Sequence, residues 1–101
     1  MEEIIMNLII HSGEARSYGM EAMGLAKEGK IAEARELITK ASEQLAEAHK
    51  SQTALIQGEA GGNKTEVSLL LVHAQDHLMT SMTLKDLASE IIDLHEKIDN
   101  K

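Results

Sequence analysis

The sequence predicts an all-α protein, an antiparallel three-helix bundle that associates with copies of itself through its third helix. Three observations carry that expectation. Ala, Leu, Glu, Lys and Met, which lose little rotamer freedom in a helix, dominate, while Pro, Phe and Trp are absent and Tyr occurs once. Two glycine-bearing breaks, at Gly29-Lys30 and from Gly58 to Asn63, cut the chain into three periodic segments. The third segment carries two apolar stripes where a lone bundle needs one.

The first segment, about Glu2 to Glu28, sets Ile5, Leu8, Ile9, Met20, Met23 and Leu25 among polar residues, with Gly13, Ser17 and Gly24 on roughly one side. Small residues there would make a thin packing face on which a neighbouring helix can come close. The second, about Ile31 to Gln57, spaces Ile31, Ala34, Leu37, Ile38, Ala41, Leu45, Ala48, Leu55 and Ile56 at steps of three and four, with charged residues between them. That is a one-faced amphipathic helix. The third is expected to begin at Asn63 as cap, with Glu66 reaching back in a capping box, and to run nearly to the C-terminus.

In that third helix Val67, Leu71, Ala74, Leu78 and Met82 form one stripe, expected to face the other two helices. Leu70, His73, His77, Thr80, Leu84, Leu87, Ile91, Leu94 and Ile98 form a second with coiled-coil spacing, interrupted by a polar stretch. One protomer cannot easily bury both, so the second is assigned to contact with copies of the chain around an axis. Asp76 lies beside this seam, near Leu69, Leu87 and Leu94 in angular position. Symmetry would gather such carboxylates, which must then raise a pKa or recruit a cation. In the absence of an oligomer, Asp76 is an ordinary solvated acid.

Composition narrows the function. The 101 residues form one domain, 1–101, with 17 acidic against 10 basic residues and a formal charge of −7, which disfavours nucleic acid as partner. The absence of Cys removes disulfides, thiolate metal sites and thiol nucleophiles, and fits the cytoplasm. The start, Met1-Glu2-Glu3, is acidic where a secretory signal would be basic, and no apolar run reaches membrane-spanning length. A soluble, unprocessed cytoplasmic protein is expected.

Chemistry concentrates in Val72-His73-Ala74-Gln75-Asp76-His77, where two imidazoles stand at i and i+4 on one helical face with Asp76 on the flank. Imidazole can be a neutral nucleophile near pH 7, so a phosphorylated histidine is chemically reasonable here. Two other readings compete. A zinc hydrolase helix needs Glu after its first His, where this chain has Ala74, and no third ligand is evident. Alternatively, His73, His77 and Thr80 form a polar layer that sets register and stoichiometry in a structural helical oligomer. His49 and His95 are expected at the surface, and His11 as a satisfied packing residue.

The run Val72-His73-Ala74-Gln75-Asp76-His77-Leu78-Met79-Thr80 resembles the signature of the lactose/cellobiose-specific IIA proteins of the bacterial sugar phosphotransferase system. Ile9-Ile10-His11-Ser12-Gly13-Glu14-Ala15-Arg16-Ser17, followed by Glu21-Ala22, is similar to that family's N-terminal pattern, Glu14 standing where relatives often carry a smaller polar residue. The resemblance spans essentially the whole chain. It implies a homotrimer in which His73 accepts phosphoryl from the phosphocarrier HPr and passes it to a cysteine of the cognate IIB, for sugar uptake with the membrane component IIC. Gln75 matches the glutamine beside the active histidine, and Asp76 the aspartate that meets its symmetry mates around a divalent metal ion, Mg the expected one, on the trimer axis. Gln75, His77 or a residue of an adjacent protomer is expected to hydrogen-bond the phosphoryl oxygens. No direct contact with sugar is implied, which leaves cellobiose, lactose and chitobiose systems open.

Overall fold

The computed structural model describes residues 1–101 and contains three α-helices and no strand. Helix α1 spans Glu2–Lys27, α2 spans Ile31–Ala60 and α3 spans Leu69–Asp99. Side-chain pairs fix their directions. Asn7 bonds Ser51 and His11 bonds Gln44, so α1 and α2 are antiparallel. Arg35 meets Asp93 and Glu96 while Gln52 meets Gln75, so α2 and α3 are antiparallel as well. The result is an up-down-up rod of 56 × 19 × 18 Å. No helix is long and apolar enough to cross a membrane.

Both connections are stopped by the same device. At the end of α1, Gly29 adopts φ +80°, and the amides of Gly29 and Lys30 bond the carbonyls of Ala26 and Leu25. At the end of α2, Gly62 adopts φ +99°, and the amides of Gly62 and Asn63 bond Glu59 and Gly58. Each is a Schellman stop in which glycine takes the left-handed position and the last carbonyls recover partners. Helix α2 therefore runs past the expected end near Gln57 and takes in Gly58. Asn63 is spent on closing α2, so the anticipated Asn63–Glu66 capping box does not form. Residues 63–68 are non-helical, and Ser68 caps α3 by accepting from the Leu71 amide at 3.1 Å.

The core is narrow and rich in alanine. Ala15, Ala22, Ala26, Ala34, Ala41, Ala48, Ala74 and Ala88 are buried, while Leu8, Leu78 and Ile92 are the largest fully buried apolar side chains. Small residues bring helix axes toward the close end of the usual 8–10 Å range but bury little apolar surface per turn. Two apolar clusters result, one around Leu8, Leu45 and Leu78, the other around Ala22, Ala34 and Ile92. Ser12 and Ser81 are also fully buried, and their hydroxyls have no hydrogen-bond partner.

Several faces differ from the sequence-based expectation. The close-packed stripe of α1 is Ser12, Ala15, Gly19, Ala22 and Ala26, whereas Ser17 and Gly24 face solvent. On α3, Leu71, Ala74 and Leu78 are buried as expected, but Val67 precedes the helix and is exposed. Ile56, assigned to the buried stripe of α2, is exposed, because the stripe continues from Leu45 and Ala48 to Gln52 and Leu55, and Ile56 lies one residue round the helix from it.

Candidate functional site

The second stripe of α3 divides along its length. His77, Leu84 and Ile91, seven residues apart, are half-buried, and His73, Thr80, Leu87 and Leu94 are exposed. Glycines of α1 explain His77 and Leu84. A Cβ on Gly19 would lie 2.6 Å from Leu84 Cδ2, and one on Gly13 would lie 3.5 Å from His77 Nε2. Both side chains therefore rest where α1 has none. On the bare side Leu69, Leu87, Leu94 and Ile98 are each more than half exposed, although apolar. Asp76 and Thr83 stand exposed in the same row.

His73 and His77 come together as the i, i+4 spacing requires. Their rings are nearly parallel, 11° apart, with centroids separated by 6.0 Å. His73 is exposed and neither of its ring nitrogens bonds a protein group, so an in-line approach to the ring is open. Beside it Leu69 and Leu70 line an apolar hollow with His73, and Leu70 continues to Ile5 and Met6 of α1. The imidazole is thus a polar ring with free nitrogens set in an exposed apolar patch. Thr80 does not join the histidines, since its hydroxyl donates to the carbonyl of Asp76 at 2.8 Å, within the helix.

These features agree with the comparisons. The family model for the lactose/cellobiose-specific IIA subunit of the phosphotransferase system matches residues 3–96. The chain belongs to this family. It is therefore a phosphotransferase component, an enzyme IIA. It is 58% identical over 98 residues to the lichenan-specific phosphotransferase enzyme IIA component of Bacillus subtilis, covering 97% of this chain and 89% of that protein. The crystal structure of the cellobiose-specific enzyme IIA of Bacillus anthracis superposes with a TM-score of 0.96 at 57% identity, covering 99% of this chain and 92% of that one. A third relative is the chitobiose IIA of Escherichia coli, solved in solution in complex with HPr. It superposes with a TM-score of 0.84 at 51% identity over 97% of this chain and 95% of that one.

In this enzyme IIA the remaining candidates lie on different flanks of α3. Gln75 is about 200° around the helix from His73 and cannot reach it within one chain. It turns toward α2, where its Oε1 accepts from Gln52 Nε2 at 2.7 Å, and the same nitrogen lies 3.7 Å from Met79 Sδ. Asp76 takes part in no ion pair, and no three His, Cys, Asp or Glu side chains of the chain gather as a metal site. A zinc site on His73 and His77 thus lacks further ligands. His11 is satisfied, its Nδ1 bonding Gln44 Oε1 at 2.6 Å, and His49 is exposed as expected, while His95 is half-buried. Far from the histidines, Arg35 clamps α2 to α3 through Asp93 and Glu96, each at 3.0 Å. The hydrogen bonds that it donates, to Asp93 first and then to Glu96, hold this guanidinium's pKa above its ordinary value.

Sequence reasoning missed Gln52 and Gly13. A glutamine on the flank of an amphipathic helix carries no signal of its own, and Gly13 was grouped with the wrong neighbours. Its position, 64 residues before His77 in a bundle whose first and third helices run parallel, was the clue available.

Proposed function

We propose that this enzyme IIA carries a phosphoryl group on His73, taking it from phospho-HPr and passing it to a cysteine of its IIB partner. One observation carries the reading: in a chain of this family, the His73 ring stands exposed with both nitrogens unpartnered. A ring nitrogen attacks the donor's phosphorus, the N–P bond of the donor phosphohistidine breaks, and the donor imidazole leaves. In the second step the IIB sulfur attacks phosphorus and the His73 N–P bond breaks. Such transfers ask the protein chiefly for position and for donors aimed at the equatorial oxygens. The apolar surface at Leu70 and Met6 is suited to receive HPr and IIB in turn, since each must cover the same ring. The sugar, a disaccharide, is phosphorylated during uptake by IIB and the membrane component IIC, and this protein works in the cytoplasm without touching it.

The working form in this proposal is a homotrimer with the bare row of α3 on its axis. That row has the α1 side, with His73 and His77, on one flank and the α2 side, with Gln75, on the other. Around an axis the first flank of one copy meets the second flank of the next, so Gln75 serves the His73 of a neighbour. His77 stays beside its own His73 as a second donor. Asp76 then contributes one carboxylate per copy to the axis. Carboxylate oxygen is a donor suited to a hard divalent cation such as Mg, whose bound charge would offset the clustered acids.

Incubation with phosphoenolpyruvate, enzyme I and HPr is expected to add one acid-labile phosphoryl group per chain, and none to His73→Ala. Acceptance by His73→Ala would defeat the assignment. A structural helical oligomer, the other reading, predicts no acceptance by the wild type and a changed oligomer mass in His73→Ala. For the axial ion, Asp76→Leu is expected to lose bound metal while keeping or tightening the trimer; loss of the trimer would show that the row does not face the axis.

A further inference from the structure

The Gln52–Gln75 pair joins two primary amides, and an amide has unlike ends. Oxygen accepts and would repel an anionic phosphoryl group, whereas NH₂ donates to it. Which end Gln75 leaves free is therefore decided by what its partner offers. Gln52 Nε2 meets two acceptors together, Gln75 Oε1 at 2.7 Å and Met79 Sδ at 3.7 Å. Turning the Gln52 amide over would set its oxygen against the sulfur as well as against Gln75 Oε1, so the surroundings select the donating orientation. Gln52 is itself half-buried, which reduces the access of water as a substitute partner.

We propose that Gln52 is a positioning residue for phosphoryl transfer: by donating to Gln75 Oε1, it obliges Gln75 to present its N–H donors rather than its carbonyl to the phosphoryl oxygens. The inference rests on the proposed role of His73 and on Gln75 acting at a neighbour's His73. Gln52 touches neither phosphorus nor imidazole and acts only through Gln75. Its position on α2 also makes it a packing contact between α2 and α3, so the test must separate orientation from packing.

Single-turnover transfer from phospho-HPr to the full-length chain supplies that test, with Gln52→Glu, Gln52→Leu, Gln75→Leu and the double variant Gln52→Glu/Gln75→Leu. A carboxylate at position 52 accepts only, so it draws the Gln75 amide over and turns its carbonyl outward. The expected result is a fall in the transfer rate at saturating phospho-HPr of about 10- to 100-fold, up to the loss seen when one stabilising donor is removed. The half-saturating concentration is expected to stay unchanged. Gln52→Leu, which leaves the amide free to turn, is expected to lose less, and the side-chain amide protons of Gln75 should shift in NMR spectra of both variants. In the Gln75→Leu background, Gln52→Glu is expected to have no further effect.

An undiminished effect in that background would overturn the proposal in favour of added charge or altered packing. So would a wild-type rate in Gln52→Glu and Gln52→Leu alike, or a loss confined to melting temperature and oligomer mass. A wild type that accepts no phosphoryl group would bring down the carrier reading and this inference together, whereas normal acceptance that depends on His73 but not on Gln52 would bring down the inference alone.

Discussion

The two sides of α3 are built from different materials. Toward α1 and α2 stand Leu71, Ala74, Leu78, Ser81, Ala88 and Ile92, all buried and half of them small. The opposite side carries Leu69, His73, Asp76, Thr80, Leu87, Leu94 and Ile98, all exposed, with large apolar groups beside the polar ones. Were stability of the lone chain the only requirement, the large side chains would be inside. Their placement outside, over an alanine-rich interior, gives the chain a modest core and an exposed apolar surface of the kind that contacts with other molecules use. The buried side fixes the shape of the rod, and the outer side holds the proposed nucleophile, His73, and the row proposed to meet other copies.

The sharpest way to break this comparison is one truncation on each side. Leu78→Ala removes a fully buried side chain from the larger cluster and should cost about 2–5 kcal/mol, read from urea unfolding at fixed protein concentration. Leu87→Glu places charge on the exposed row. Helicity in far-UV circular dichroism should be retained, while sedimentation mass falls toward that of one chain and phosphoryl acceptance drops with it. Should Leu87→Glu leave the mass unaltered, the exposed row would not be where copies meet, and the division of labour between the two sides would be wrong.

How far this was legible in the sequence follows the same division. Helix number, the breaks at Gly29 and Gly62, and the buried Leu71, Ala74 and Leu78 follow from local chemistry and a period of 3.6 residues, and the structure has them. The clustering of His73 with His77 follows from i, i+4 spacing and is equally present. Three features escaped. Asn63 is an adequate cap by type, but it was already used by the Schellman stop of α2, and a competition between two helix ends is invisible to a one-helix reading. The small-residue face of α1 was misassigned because Gly, Ser and Ala line more than one side of that helix, and only the helix packed against it decides which side is close. The partner of Gln75 escaped because Gln75 was singled out through the family resemblance, which says nothing of its neighbours within the chain. Gln75, two residues after His73, points nearly the opposite way on the helix, and its partner Gln52 stands on another helix.

Two glycines of α1 sharpen the comparison further, at lower energies. Gly19→Ala would bring Cβ to 2.6 Å from Leu84 Cδ2, so Leu84 must swing away from α1 toward the exposed row. Overpacking of this kind costs about 1–3 kcal/mol, against a gain of roughly 0.5–1 kcal/mol from replacing a helical glycine, so a net loss near 1 kcal/mol is expected. Gly19→Ala/Leu84→Ala relieves the contact, and the cost of the two changes should be less than additive.

Gly24 gives the smallest effect and the opposite sign. It is an interior residue of α1, exposed, without positive φ, and a Cβ there meets nothing within 4 Å. Neither strain nor contact within the chain requires glycine, so Gly24→Ala should stabilise the helix by about 0.5–1 kcal/mol by restricting the unfolded chain. The same substitution tests whether this side of α1 is free in the proposed trimer. A gain that is independent of protein concentration means that position 24 faces solvent in the oligomer too. A loss that grows as the chains associate means that a neighbouring copy approaches Gly24 closely, and the adhesive surface then extends from α3 onto α1.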